Sequence, residues 1–131
     1  MIQITREVEL GLLLMVELAR KPDELVGLKE WAEKRSLPYR FLSKVAVKLK
    51  KAKLLKSKEG REGGYGLFKP AKKIKVGEII TALEGPLEPV RCLSGASCGC
   101  EDWCGHRDFM GKLVSVVEKQ LSEVSLDDLL C

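Results

Sequence analysis

Apolar residues recur every three or four positions along most of this chain, and the breaks in that rhythm divide it into elements. Thr5 is placed to cap a helix that runs to about residue 20, with Val8, Leu12, Met15, Val16 and Ala19 at helical spacing, and Lys21-Pro22-Asp23 ends it. Leu28, Trp31 and Ala32 share one face of a shorter helix over residues 28–35, and Ser36-Leu37-Pro38 reads as a tight turn. Proline is tolerated in a first helical turn, so a third helix begins near Pro38 and continues to about Lys53. Its apolar stripe is Phe41, Leu42, Val45, Leu49 and Ala52. The period then shortens. Residues 55–58 and 65–69 read as strands flanking Glu59-Gly60-Arg61-Glu62-Gly63-Gly64, a hairpin with a glycine-rich tip. Residues 76–83 form another amphipathic helix, stopped by Glu84-Gly85-Pro86, and residues 108–123 a longer one. Ser125-Leu126-Asp127-Asp128 opens a last short turn in the manner of a capping box.

Three helices followed by a hairpin is the order of a winged helix-turn-helix. The predicted fold is mainly α with a small β-hairpin wing, a winged helix-turn-helix plus a long C-terminal dimerisation helix. Residues 1–83 form the DNA-binding domain, 84–107 a cysteine-rich loop, and 108–131 the dimerisation helix and C-terminal turn. In such a unit the third helix enters the major groove of double-stranded DNA and the hairpin reaches an adjacent backbone or minor groove. The outward positions of that helix are Tyr39, Arg40, Ser43, Lys44, Val47, Lys48 and Lys51, residue types that bond base edges or phosphates. Arg61, among glycines at the hairpin tip, is suited to a minor groove. On the long helix Phe109, Met110, Leu113, Val114, Val116, Val117, Leu121 and Val124 make an apolar arc too broad for one small domain, which predicts a two-fold homodimer.

Charge sharpens this picture. The net charge of +4 conceals an asymmetry: residues 29–75 hold 16 Lys/Arg against 4 Asp/Glu, while the rest hold 7 against 15. Concentrated positive charge marks a polyanion-binding face. With 131 residues, 45% of them hydrophobic, the chain can bury one core. Its longest apolar run, residues 10–16, lies between Glu9 and Glu17 and falls far short of the ~20 residues that span a bilayer. No targeting segment is visible, so no membrane partner and a cytoplasmic location are expected.

The chemistry is concentrated in "RCLSGASCGCEDWCGHR", which holds four of the five cysteines and the only histidine. Cys92, Cys98, Cys100 and Cys104 follow the spacing C-x5-C-x-C-x3-C. In a reducing compartment such clusters bind metal or do redox chemistry more often than they form disulfides. An iron-sulfur cluster, a structural zinc ion and uncoordinated thiols are all compatible with this spacing, the first favoured by the glycine-rich loop. A thiol oxidoreductase is disfavoured, because there is no C-x2-C pair and no acid/base partner beyond His106, so the chain is not expected to be an enzyme. Cys131 is given no role.

At these residues the chain resembles the IscR/NsrR-like bacterial winged-helix regulators. The resemblance rests on the Thr5-Arg6 opening, "LPYRFLSKVAVKLKKAKLLKS", the wing "GREGGYGL", "VGEIITALEGPLEPVRC", a C-x5-C-x5-C triplet and the final "SLDDLL". It implies a homodimeric repressor or activator whose cluster, commonly 2Fe-2S and in some members 4Fe-4S, reports on iron-sulfur supply, oxidants or nitric oxide. The implied ligands are Cys92, Cys98 and Cys104. For the fourth the candidates are His106 first, Cys100 second, and third Glu7 or Glu9 of the first helix of either subunit. The chain departs from the family pattern in three places. His106 follows Cys104 by two residues instead of three, Cys100 is an extra thiol, and Glu59 stands where the wing usually has an arginine. The alternative to a cluster sensor is a winged-helix DNA-binding protein with a structural zinc site or with thiol-based sensing.

Overall fold

A computed structural model describes residues 4–87, 99 and 103–130. Its elements are α1 (Arg6–Arg20), α2 (Leu28–Arg35), α3 (Tyr39–Lys51), β1 (Leu55–Lys58), β2 (Gly64–Leu67), a 3-10 turn (Ala71–Lys73), α4 (Val76–Glu84), α5 (Arg107–Glu123) and a second 3-10 turn (Leu126–Leu129).

Thr5 caps α1 as expected: its hydroxyl accepts the Val8 N–H at 3.3 Å, with Glu7 and Glu9 in the first turn and Arg20 in the last opposing the helix dipole. The helix buries more than one stripe. Leu10, Leu14 and Leu18 are enclosed along with Val8, Met15 and Ala19, because α3, α4, β2 and the C-terminal turn all pack on α1. Leu12 and Val16, predicted to be core, are only partly covered. Gly11 permits the closest crossing, since a Cβ there would collide with the Leu83 side chain of α4.

The helix-turn-helix closes through Ser36, which takes a left-handed backbone (φ 55°) while Leu37 N–H reaches back to the Ala32 carbonyl at 2.8 Å. On α3 the residues Leu42, Val45, Ala46 and Leu49 are fully buried. Phe41 is 37% exposed and Ala52 lies outside the core, so these two drop out of the predicted stripe and Ala46 joins it. α3 stops at Lys51 instead of Lys53, because Lys53 turns left-handed (φ 61°) and Leu54 N–H bonds the Leu49 carbonyl at 3.0 Å.

In the wing Leu55 pairs with Leu67 and Lys58 with Gly64, antiparallel. β2 begins and ends earlier than the predicted 65–69: Phe68 N–H makes one more in-register bond, to the Leu54 carbonyl at 3.0 Å, and Pro70 has no donor to carry the pairing on. Tyr65 also exchanges two backbone hydrogen bonds with Val26, at 2.8 and 2.9 Å, fastening the wing to the segment between α1 and α2. Gly64 makes this possible: it has φ 150°, and a Cβ would lie 2.5 Å from the Val26 carbonyl oxygen.

The chain end returns to this domain. Val76 N–H bonds the Val124 carbonyl at 2.9 Å, Leu126 N–H bonds the Ile74 carbonyl at 2.8 Å, and Leu126 is fully buried. α5 rests on α4 where Gly77 leaves room for Leu121. No residue of α5 is buried by the described chain, and Phe109 and Val116 are 60% and 65% exposed.

Candidate nucleic-acid interface

α3 carries Arg40, Lys44, Lys48, Lys50 and Lys51 and no acidic residue. The buried positions Leu42, Val45, Ala46 and Leu49 fix the rotation of the helix, so Tyr39, Arg40, Lys44, Val47, Lys48 and Lys51 are exposed and Ser43 is half-buried. The predicted outward set is therefore on one solvent-facing surface. Lys50 turns instead to the wing, where its ammonium donates to the Ser57 hydroxyl at 2.6 Å.

Lys48 differs from its neighbours. It is paired with the Glu7 carboxylate of α1 and donates toward the Leu83 carbonyl at 3.4 Å. Nothing in the periodicity pointed to this. The partners lie 41 positions apart, and the available signal is only a cation on α3 opposite the last turn of α4, the negative end of that helix.

Arg61 is exposed on a hairpin tip tightened by Gly60, which has φ 109° and accepts the Gly63 N–H at 3.1 Å. Gly63 has no space for a side chain, as a Cβ would overlap the Lys58 carbonyl. The tip is thus held by backbone geometry, and Arg61 extends from a defined turn.

Of the cysteine loop, Cys92, Cys98 and Cys100 lie outside the described residues, as does Cys131. Cys104 is half-buried, and His106 is exposed at the N-cap of α5, its carbonyl accepting the Met110 N–H at 2.9 Å. The first-helix carboxylates are both engaged, Glu7 by Lys48 and Glu9 by Arg6 at 3.1 Å. Among the described residues no three of His, Cys, Asp or Glu gather to hold a metal ion.

A cationic helix presented by a tight helix-turn-helix, with a glycine-braced hairpin beside it, defines a winged helix-turn-helix protein built to meet DNA. The chain belongs to the Rrf2 family, described as iron-dependent transcriptional regulators, which it matches over residues 4–131. It is 33% identical to the regulator CymR of Bacillus subtilis over 91% of this chain and 83% of that one. The solved structure of CymR, described as the global cysteine regulator of that organism, superposes with a TM-score of 0.79 at 30% identity, covering 99% of this chain and 97% of that one. The regulator NsrR of Bacillus licheniformis is 29% identical over 98% of this chain and 92% of its own. IscR of T. potens superposes with a TM-score of 0.75 at 29% identity, covering 98% and 86% of the two chains. These relatives are transcriptional regulators, a non-enzymatic role. No helix among the described residues is long and apolar enough to cross a membrane.

Proposed function

We propose that this protein is a cytoplasmic, homodimeric transcription regulator whose operator binding is controlled by an iron-sulfur cluster, most simply 2Fe-2S, in the loop between α4 and α5. The observation that carries this reading is the C-x5-C-x5-C triplet Cys92, Cys98 and Cys104 in a chain of an iron-dependent regulator family. The donor set suits the group: three soft thiolates with an imidazole nearby, and both Cys104 and His106 at least partly accessible at the start of α5. His106 is the fourth ligand in this reading, with Cys100 the alternative. When bound, the cluster supplies sensitivity to oxidants, nitric oxide and iron supply.

The chain's own residues do the rest. Arg40, Lys44, Ser43 and Tyr39 bond base edges and phosphates in the major groove, and Arg61 approaches the neighbouring minor groove. Phe109 and Val116, one heptad apart on the uncovered face of α5, meet their counterparts across a two-fold axis and set the separation of the two α3 helices. Because the cysteine loop joins α4 to α5, ordering or releasing it alters that separation.

Iron and sulfide analysis with visible absorption of anaerobically purified protein tests the reading. Wild type should be coloured, and Cys98→Ala should be colourless with changed operator selection. Wild-type protein that stays colourless and free of iron after supply of iron and sulfide rejects it.

A second reading, thiol sensing without a cluster, is favoured by the extra thiol Cys100 and by the likeness to a cysteine regulator. It requires metal-free protein whose DNA affinity responds to thiol oxidation.

A further inference from the structure

One cation of the recognition helix is occupied from within the chain. Lys48 Nζ donates to the Glu7 carboxylate and toward the Leu83 carbonyl at 3.4 Å. Leu83 lies in the last turn of α4, whose terminal carbonyls have no helical partner and form the negative end of its dipole. Thr5, which caps α1, donates its hydroxyl proton to Glu84. The start of α1 and the end of α4 are therefore fastened together beside Lys48, at the point where the chain leaves for the cysteine loop. Glu7 and Lys48 keep 24% and 46% of their side chains exposed, on the rim of a cleft of about 120 Å³ that Lys44 also lines. At that exposure the pair stays open to competition from another anion.

We infer that Glu7 is an autoinhibitory counter-ion: it competes with DNA phosphate for Lys48 and so lowers the affinity of the recognition helix for DNA. In this arrangement Lys48 is a latch between α1, α3 and the end of α4, while Arg40 and Lys44 of the same surface are committed to DNA. The inference rests on the DNA-binding reading of α3. Its chemical basis is simple, since Glu7 and a phosphate offer the same ammonium the same kind of charge-assisted hydrogen bond. Each phosphate that a cation neutralises adds about 0.9 to the slope of log affinity against log salt concentration, so occupancy of Lys48 is countable.

The test is a salt titration of the full chain binding a short mixed-sequence duplex. Glu7→Gln should tighten binding about threefold to tenfold and steepen the salt slope by about 0.9, as one freed cation predicts. In a Lys48→Met background the same Glu7→Gln change should alter neither. An unchanged slope in Glu7→Gln overturns the inference. So does tightening that persists without Lys48, because Glu7 would then act by repelling phosphates directly. Should Glu7→Gln lose helicity, Lys48→Met alone decides: affinity within about twofold of the native chain supports the latch, and a loss of tenfold or more with a shallower slope makes Lys48 an ordinary phosphate contact and overturns it. Failure of the underlying reading looks different, with native binding insensitive to salt and to Arg40→Ala and Lys44→Ala.

Discussion

α3 and α5 are both amphipathic, yet the described residues enclose the apolar face of only one of them. Every core residue of α3 is sealed, and its opposite face is a row of cations. α5 is longer and as well supplied with branched apolar residues, yet none of them is buried by the described chain. Burial of apolar surface is what holds a helix in place, so α3 is held within its own subunit, whereas the open face of α5 is the one the proposed dimer would cover. The same periodicity thus has two meanings, and only the packing around each helix tells them apart.

Substitutions that treat the two helices alike should therefore have unlike results. Leu49→Ala leaves a cavity in a sealed core and should cost about 2–5 kcal/mol of unfolding free energy by denaturant titration. A loss below 1 kcal/mol would mean that this side of α3 is not the core. Val116→Asp, at a position 65% exposed, should leave the subunit's unfolding within about 0.5 kcal/mol of wild type. It should nonetheless shift sedimentation from dimer to monomer and weaken binding to a two-half-site operator. A dimer that survives it would place the contact elsewhere. Arg40→Ala should remove about 1–3 kcal/mol of specific binding in a footprinting titration while leaving both folding and dimerisation intact.

The smallest expected effect concerns the joint between these regions. Burial tends to raise the Glu78 pKa, but the Lys75 N–H, which it accepts at 2.8 Å, and the neighbouring Lys69 and Lys75 charges outweigh this and hold it below the ordinary glutamate value. A carboxylate lowered on folding adds stability above its unfolded pKa, and this is lost as pH falls through the lower, folded value. Acidification below the ordinary carboxylate range should accordingly loosen the start of α4. Amide exchange at Lys75 and Val76 measures it, and Glu78→Gln should abolish the pH dependence there.

Much of this architecture was legible in the sequence because it is local. α2 and β1 fall where periodicity and turn residues place them, and the cationic surface of α3 follows from its spacing once a core face is assigned. The errors have physical causes. Periodicity carries α3 on to Lys53 because a left-handed lysine has no signature in the sequence, and it places Phe41 in the core because it cannot give the width of a groove. The Glu7–Lys48 pair and the return of Leu126 to Ile74 join positions far apart in the chain, and no local pattern records such meetings. The cysteine spacing is equally plain in the sequence.

The stitch between Leu126 and Ile74 gives α5 a fixed fulcrum. With 17 residues at a rise of about 1.5 Å each, the helix is a lever of roughly 25 Å, so a tilt of about 10° at the anchored end carries the far end some 4 Å. The far end is where the cysteine loop attaches. A displacement there comparable to the rise of one base pair therefore needs only a small rotation at the Leu126–Ile74 anchor.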